Sequence, residues 1–534
     1  MVTPDRKSPK LNLMTDVSHH IRRIGALVLA VGLGACALPY VPSPPTVKAD
    51  RQELMEVFSA GYRNITEKYI EEVSAASIAL NGLGGFSSID PALKVDRLDD
   101  LITLSYAGDN VKSMKAPDAN NVVGWAEITS DMTAAAKGVS ADMGMASKEK
   151  VFEAVFDGVL SGLDIFSRYA GAEEASKNRA RRDGFGGIGI NFKVENDRIE
   201  ITRVLPGTPA HTAELKVGDI ITEIDGKPAV GLNSDDVISL LRGPTQTNVI
   251  IKIKRTTFST PKDFTLTRSH IVPITVTEKR DRGILYFRIS SFNQDTAHAL
   301  ASKLKNAKSE MGENLKGIAL DLRGNPGGLL KQSVKVADLL LTHGGIVSTK
   351  GRHLDSLHNY EAGGRDLADG LPVIVFIDGK SASAAEIVAA ALQDRNRAVV
   401  VGTSSYGKGT VQTVIRLPNS GEITLTWSRF LAPSGYPLHG LGVRPVVCTS
   451  NQDSTVETVI DNTLGAGPEL KATYESWRTP ALQPEQTRSK LRQTCPPEKH
   501  KAEIEMEVAK RIFGDTTIYE RTLDLSTKTS QARK

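Results

Sequence analysis

The chain has 534 residues, of which 40% are hydrophobic and 24% charged, with a formal net charge of +4. That length exceeds what one hydrophobic core usually supports, so two to four domains are expected, and the small net charge offers no electrostatic footprint for nucleic acid. Ten histidines scattered without metal-ligand spacing point away from a metal centre, and no cofactor is expected.

Arg22-Arg23 precede an apolar run, Ile24 to Ala30, that continues into Val31-Gly32-Leu33-Gly34-Ala35-Cys36. A positive start, a short apolar run and small residues are the pattern of a signal peptide over residues 1–35, with Met14 an alternative start; the run is too short to remain as a membrane-spanning helix. Leu33-Gly34-Ala35-Cys36 resembles the bacterial lipobox. The resemblance implies a lipid on Cys36, attachment to the cell-envelope membrane and a periplasm-facing protein, and Ala37 in the next position favours the outer membrane. Residues 36–48, with prolines from Pro39 to Pro45, read as a stiff tether. An exported chain meets an oxidising compartment, which makes Cys448 and Cys495 either a candidate disulfide or two free thiols.

Residues 49–172 read as a helical region, since Leu54, Val57, Phe58, Gly61 and Tyr62 recur at helical spacing, as do Val151, Phe152, Val155, Phe156, Val159 and Leu160. No chemistry is evident there. A packing or dimerisation layer is expected, leaving a homo-oligomer and an adaptor protein open as partners. The polar stretch Glu173 to Arg182 marks a boundary, after which glycines and short strand patterns predict a mainly β domain over residues 184–270. Its Gly-rich loop before Ile188, and Leu215-Lys216-Val217-Gly218-Asp219, resemble PDZ domains of bacterial proteases. The resemblance implies that Gly187, Ile188, Gly189 and Ile190 receive the C-terminus of a peptide, with Val237 and Leu241 walling the groove; the alternative is that these two pack the module's own core. The strand-turn-helix unit of a dinucleotide loop is missing.

From residue 272 to 447 strands and helices alternate, predicting an α/β layered domain, and residues 448–534 read as a polar, partly helical tail with a charged, disordered end. Within the α/β domain, Ser381-Ala382-Ser383-Ala384-Ala385-Glu386 lies between a buried strand and a helix of small residues. A serine there meets free N–H groups and the positive end of a helix dipole, an environment suited to a developing anion, but helix capping asks for the same residue. Ser405-Tyr406-Gly407-Lys408-Gly409-Thr410-Val411-Gln412 places a lysine in a loop where apolar walls would depress its pKa. A solvated loop lysine is the plain alternative.

Together the two segments resemble the carboxyl-terminal processing (tail-specific) protease family, in which a serine block is followed by a Phe-Gly-Lys-Gly block. Lys408 stands 25 positions after Ser383 and Gln412 four after Lys408, matching the family's nucleophile, general base and lysine-orienting glutamine. Asn325-Pro326-Gly327-Gly328 matches the family's turn, which implies an oxyanion hole from the N–H groups of Gly327 and Ala384, with Gly328 the fallback. The implied fold is a crotonase-like layered α/β protease core with a mainly β PDZ domain and an N-terminal helical region. The implied function is a serine endopeptidase that cleaves exported proteins at or near their exposed C-termini, the PDZ domain recognising or gating the substrate. Departures include Ala385 for serine, Tyr406 for phenylalanine, Asp164-Ile165-Phe166-Ser167 for Asp-Pro-His-Ser, and no Asp after Pro445. Competing readings are a noncatalytic PDZ scaffold on a degenerate protease fold, a small-ester hydrolase on the same core, and a Ser-His arrangement using His439. A P-loop is excluded because Gly409 stands where a Mg²⁺-binding hydroxyl is needed.

Overall fold

Four apolar strands, one polar edge strand and one short edge strand assemble into a six-stranded sheet in a computed structural model that describes residues 47–450, 455–498 and 502–527. The order is Val276–Asp281, Ile284–Ile289, Gly317–Asp321, Val373–Ile377, Val399–Gly402 and Val447–Cys448; the first pair is antiparallel and the rest parallel. A parallel sheet needs cover on both faces, which is why Val373–Ile377 is apolar at every position and buried at each. Helices Thr296–Met311, Leu330–Asp338 and Ala384–Asp394 cover one face.

The other face is covered by the C-terminal region. Val459, Leu470, Tyr474, Val508 and Ile512 pack on Tyr286, Phe376, Val399 and Val401, so the helices that carry them are a layer of the α/β domain, where the sequence suggested a tail. Their average composition is polar because each contributes only a stripe to the core. Glu505, fully buried on the helix Ala502–Phe513, pairs with Arg323, which also bonds Asp321 at 2.8 Å. Glu505→Ala removes one partner of a buried charge, and an unfolding midpoint lowered by about 3–5 kcal/mol of stability is expected in denaturant titration. Cys448 and Cys495 are bonded, with Cα atoms 5.9 Å apart, joining the edge strand to the same C-terminal layer. The charged end beyond residue 527, the signal segment, Cys36 and the tether up to residue 46 lie outside the described residues.

A second, antiparallel sheet runs His358–Ala362, Gly344–Gly351, Glu422–Leu431, Thr410–Arg416, with Arg168–Ala170 also on Glu422–Leu431. The N-terminal helices pack on this sheet rather than forming a separate body. Phe58, Tyr62, Phe152 and Phe156 share one core with Ile415, Ile423 and Leu425. Between the helices lies a three-stranded sheet, Leu93–Leu98, Leu101–Tyr106 and Asp109–Lys115, which helical periodicity did not predict. Its signal is the alternation of buried Ile102 and Leu104 with less buried neighbours.

Residues from Phe185 to Ile271 form the expected β module. Its strands run Lys262–Thr267, Asn248–Lys254, Ile220–Ile224, Arg198–Val204, Ile190–Glu195, and Ile190–Glu195 is an edge strand. Gly189 sits at φ +84, with Thr208 where a Cβ would fall, so only glycine fits the entry to that edge. Val237 and Leu241, on helix Ser234–Leu241, are 0% and 5% exposed inside the module's core. Their burial fits the alternative that these two pack the module's own core.

Candidate active site

The strands Gly317–Asp321 and Val373–Ile377 are parallel neighbours, so their carboxyl ends emerge side by side, the usual place for a site in an α/β sheet. The first leads into Arg323-Gly324-Asn325-Pro326-Gly327-Gly328 and the second into Asp378 to Ser383. Ala382 N–H donates to the Asn325 carbonyl at 2.9 Å, tying the two turns together. Ser381 is fully buried; its hydroxyl donates to the Leu322 carbonyl (2.8 Å) and accepts from the Asp378 N–H (2.9 Å). It shapes the loop. Ser383 opens helix Ala384–Asp394 with φ 54 and ψ −113, a conformation that costs free energy for a non-glycine residue and recurs at functional sites.

Gly327 lies against it. A Cβ on Gly327 would stand 2.9 Å from both the Ala382 carbonyl oxygen and Ser383 Cβ, so glycine alone permits the approach. The N–H of Gly327, however, donates to Asn325 Oδ1 at 2.8 Å within its own turn. The sequence-based expectation that this group forms the oxyanion hole is corrected to that extent: its hydrogen is engaged in this structure.

Lys408 follows the strand Val399–Gly402 on a loop that enters Thr410–Arg416. The loop is fixed to the serine turn through Glu386, whose carboxylate is wholly buried. Oε1 accepts from Ser405 Oγ and Gly407 N–H, each at 2.6 Å; Oε2 accepts from Ser383 N–H at 2.6 Å and Lys408 N–H at 3.0 Å. Burial pushes the Glu386 carboxyl up, while these four hydrogen bonds pull it down. Glu386 was missed as a site residue, although a glutamate three positions after a serine cap is a capping-box signal.

Lys408 Nζ lies over the Phe166 ring, 4.9 Å from its centroid. Burial pushes the ammonium pKa down, the neighbouring Arg168 charge does the same, and Glu386 and Asp164 oppose them. Gln412 does not hold the lysine here. Its amide donates to Thr410 Oγ1 (2.9 Å) and Thr426 Oγ1 (3.2 Å), because a break in strand register between Val411 and Gln412 turns it toward those hydroxyls.

Ser383, Ala384, Gly327, Gly328, Lys408 and Gln412 nevertheless line one cavity of about 440 Å³, floored by Ile387, Val411 and Phe430. His439 lines a different cavity of about 530 Å³, with Phe166 and Tyr406. Burial, with Arg429 and Arg488, pushes its imidazole pKa down. A hydroxyl, an amine of depressed pKa and the N–H groups of a helix start around an apolar floor suit acyl transfer.

Residues 283–448 match the model of Peptidase family S41, and residues 200–255 match that of a PDZ domain. The chain is similar to the carboxy-terminal-processing protease of Bartonella bacilliformis, 40% identical over 299 residues that cover 56% of this chain and 69% of that protein. It is also similar to a protein of Staphylococcus aureus named "Probable CtpA-like serine protease", 32% identical over 321 residues that cover 59% of this chain and 64% of the relative. Among solved structures, the photosystem II D1 C-terminal processing protease aligns over 73% of this chain and 92% of its own, with 21% identity and a TM-score of 0.37.

Proposed function

Because the chain belongs to peptidase family S41, the carboxy-terminal-processing serine proteases with a PDZ domain, we propose that Ser383 is its nucleophile and Lys408 its general base. The observation that carries this reading is Glu386, which binds the backbone of both residues and so holds a serine turn and a lysine loop across one cavity. The neutral Lys408 amine takes the Ser383 proton as the hydroxyl oxygen attacks a peptide carbonyl. Ala384 N–H, at the head of its helix, and Gly328 N–H, on the same cavity, are the donors for the oxyanion. The amine leaves with the proton from Lys408, and a water deprotonated by the same lysine hydrolyses the acyl-enzyme.

The substrate is an exported protein cleaved near its C-terminus. The edge strand Ile190–Glu195, entered through Gly187, Ile188 and Gly189, supports addition of that tail as a further strand. The module would bind such a tail and either deliver it or, when empty, block the cleft. The test is cleavage of an unfolded protein with an apolar C-terminus by wild type, Ser383→Ala and a deletion of residues 184–268. Cleavage is expected to vanish in Ser383→Ala and to change in the deletion. Equal cleavage by wild type and Ser383→Ala would remove the dyad assignment, no cleavage by wild type would leave the scaffold reading standing, and hydrolysis confined to small esters would favour the esterase.

Lipid on Cys36 and a periplasm-facing position in the cell envelope complete the reading. Cys36→Ser should move the protein from the membrane to the soluble fraction; an unchanged membrane fraction would remove the anchor.

A further inference from the structure

The catalytic cavity carries more positive charge than the chemistry of a serine and a lysine requires. Besides Lys408, its lining includes Arg168, Arg181 and Arg182 and no aspartate or glutamate. Arg182 is accounted for: Glu422, 4% exposed, accepts from it at 3.1 Å and from Arg179 at 2.8 Å, which pins helix Ala172–Asp183 beside the cavity. Arg168 and Arg181 are exposed, and neither makes an ion pair among the described residues. They come from different elements, the short strand Arg168–Ala170 and the helix after it, and both line this cavity. Arg168 is opposite Thr424, another lining residue, in the strand register.

Two guanidinium groups lining one cavity with no ion-pair partner among the described residues, one of them near enough to Lys408 for its charge to act on it, leave the planar, multidentate donors suited to a carboxylate unpaired. We propose that Arg168 and Arg181 form an anion-binding subsite inside the catalytic cavity, separate from the PDZ module, that takes a carboxylate of the bound polypeptide close to the bond being cut. The inference rests on the dyad reading above. Either the substrate's terminal α-carboxylate or an Asp or Glu side chain supplies this chemistry. A bound carboxylate also sets the register of the chain against Ser383, so the subsite fixes how far from the negative group the cut falls.

The test is a panel of peptides of one sequence, made with a free or amidated C-terminus and with Asp or Asn at each of three positions on either side of the cleaved bond. They are compared in wild type and in Arg168→Gln/Arg181→Gln at one pH, so that a shift in Lys408 affects acidic and neutral forms alike. Wild type is expected to favour the carboxylate-bearing form roughly tenfold, mainly through KM, and the double variant to show no preference. The free-acid arm and the Asp arm distinguish the two sources. A free-acid preference that survives in the double variant assigns the carboxylate to the PDZ module and overturns the proposal, as does the absence of any acid preference in wild type. Binding of the same peptides to Ser383→Ala, with and without the two arginine changes, gives the acid-over-neutral ratio as a Kd even where cleavage is too slow to measure. Failure of Ser383→Ala to abolish cleavage would strike the dyad instead and leave this binding ratio to decide the subsite.

Discussion

Glu386→Ala is expected to be inactive and destabilised by at least about 3 kcal/mol, although Glu386 itself never touches the substrate. The change removes a wholly buried acceptor of four hydrogen bonds, leaving the N–H groups of Ser383, Gly407 and Lys408 and the hydroxyl of Ser405 without it. Each buried donor left unmade costs roughly 1–3 kcal/mol, and refilling of the void recovers only part of the total. The functional loss is steeper than the loss of stability. With both loops held by one carboxylate, its removal frees the serine turn and the lysine loop to drift by fractions of an ångström, enough to spoil proton transfer. Glu386→Gln separates the two effects. The amide keeps one acceptor and the side-chain volume but turns an NH₂ toward N–H donors, so a folded protein with much reduced kcat is expected. Denaturant unfolding and reaction with a serine-directed covalent probe check both variants. Wild-type labelling and stability in Glu386→Ala would sink the idea that this carboxylate organises the site.

What could be read from the sequence follows where the information is local. The proposed pair, Ser383 and Lys408, stands in short segments whose residue types and spacing single it out, and the strands around it are apolar because both faces are covered. Glu386 was equally visible but had a bland explanation as a capping residue, and only the fold shows that it caps a helix and anchors a distant loop at once. The role expected for Gln412 depends on a rotamer and a bulge, which spacing does not encode. Helix Ala172–Asp183 looked like a polar boundary because the residues it gives to the cavity, Asn178, Arg181 and Arg182, are polar and read as solvated in any linear pattern. The C-terminal helices were undervalued for a related reason. A helix that buries a stripe such as Val508, Ala509 and Ile512 remains polar on average, and its place over the sheet is a long-range fact.

Lys408→Met should lower kcat/KM by roughly 10²–10⁴, the range over which positioned general bases contribute, while leaving binding of a C-terminal peptide to the PDZ module unchanged. The pH dependence carries more information than the loss. The active form of the amine is neutral, so activity rises with pH through the lysine's pKa. Burial, reinforced by Arg168, lowers that pKa from the ordinary 10.5, which places the rising limb on the acid side of a free lysine's. Phe166 acts in the opposite sense. Its ring face attracts the ammonium 4.9 Å away and not the neutral amine, so it favours the inactive protonation state. Phe166→Leu keeps an apolar wall and removes only that attraction. Its limb is expected to move to lower pH by roughly half a unit, from a cation–π contribution of about 0.5–1 kcal/mol. Arg168→Gln removes a like charge and should move the limb the other way. Rate profiles of the three proteins on a neutral, amidated peptide decide it: shifts of opposite sign identify Lys408 as the titrating base, and superimposable limbs show that another group sets the pH dependence.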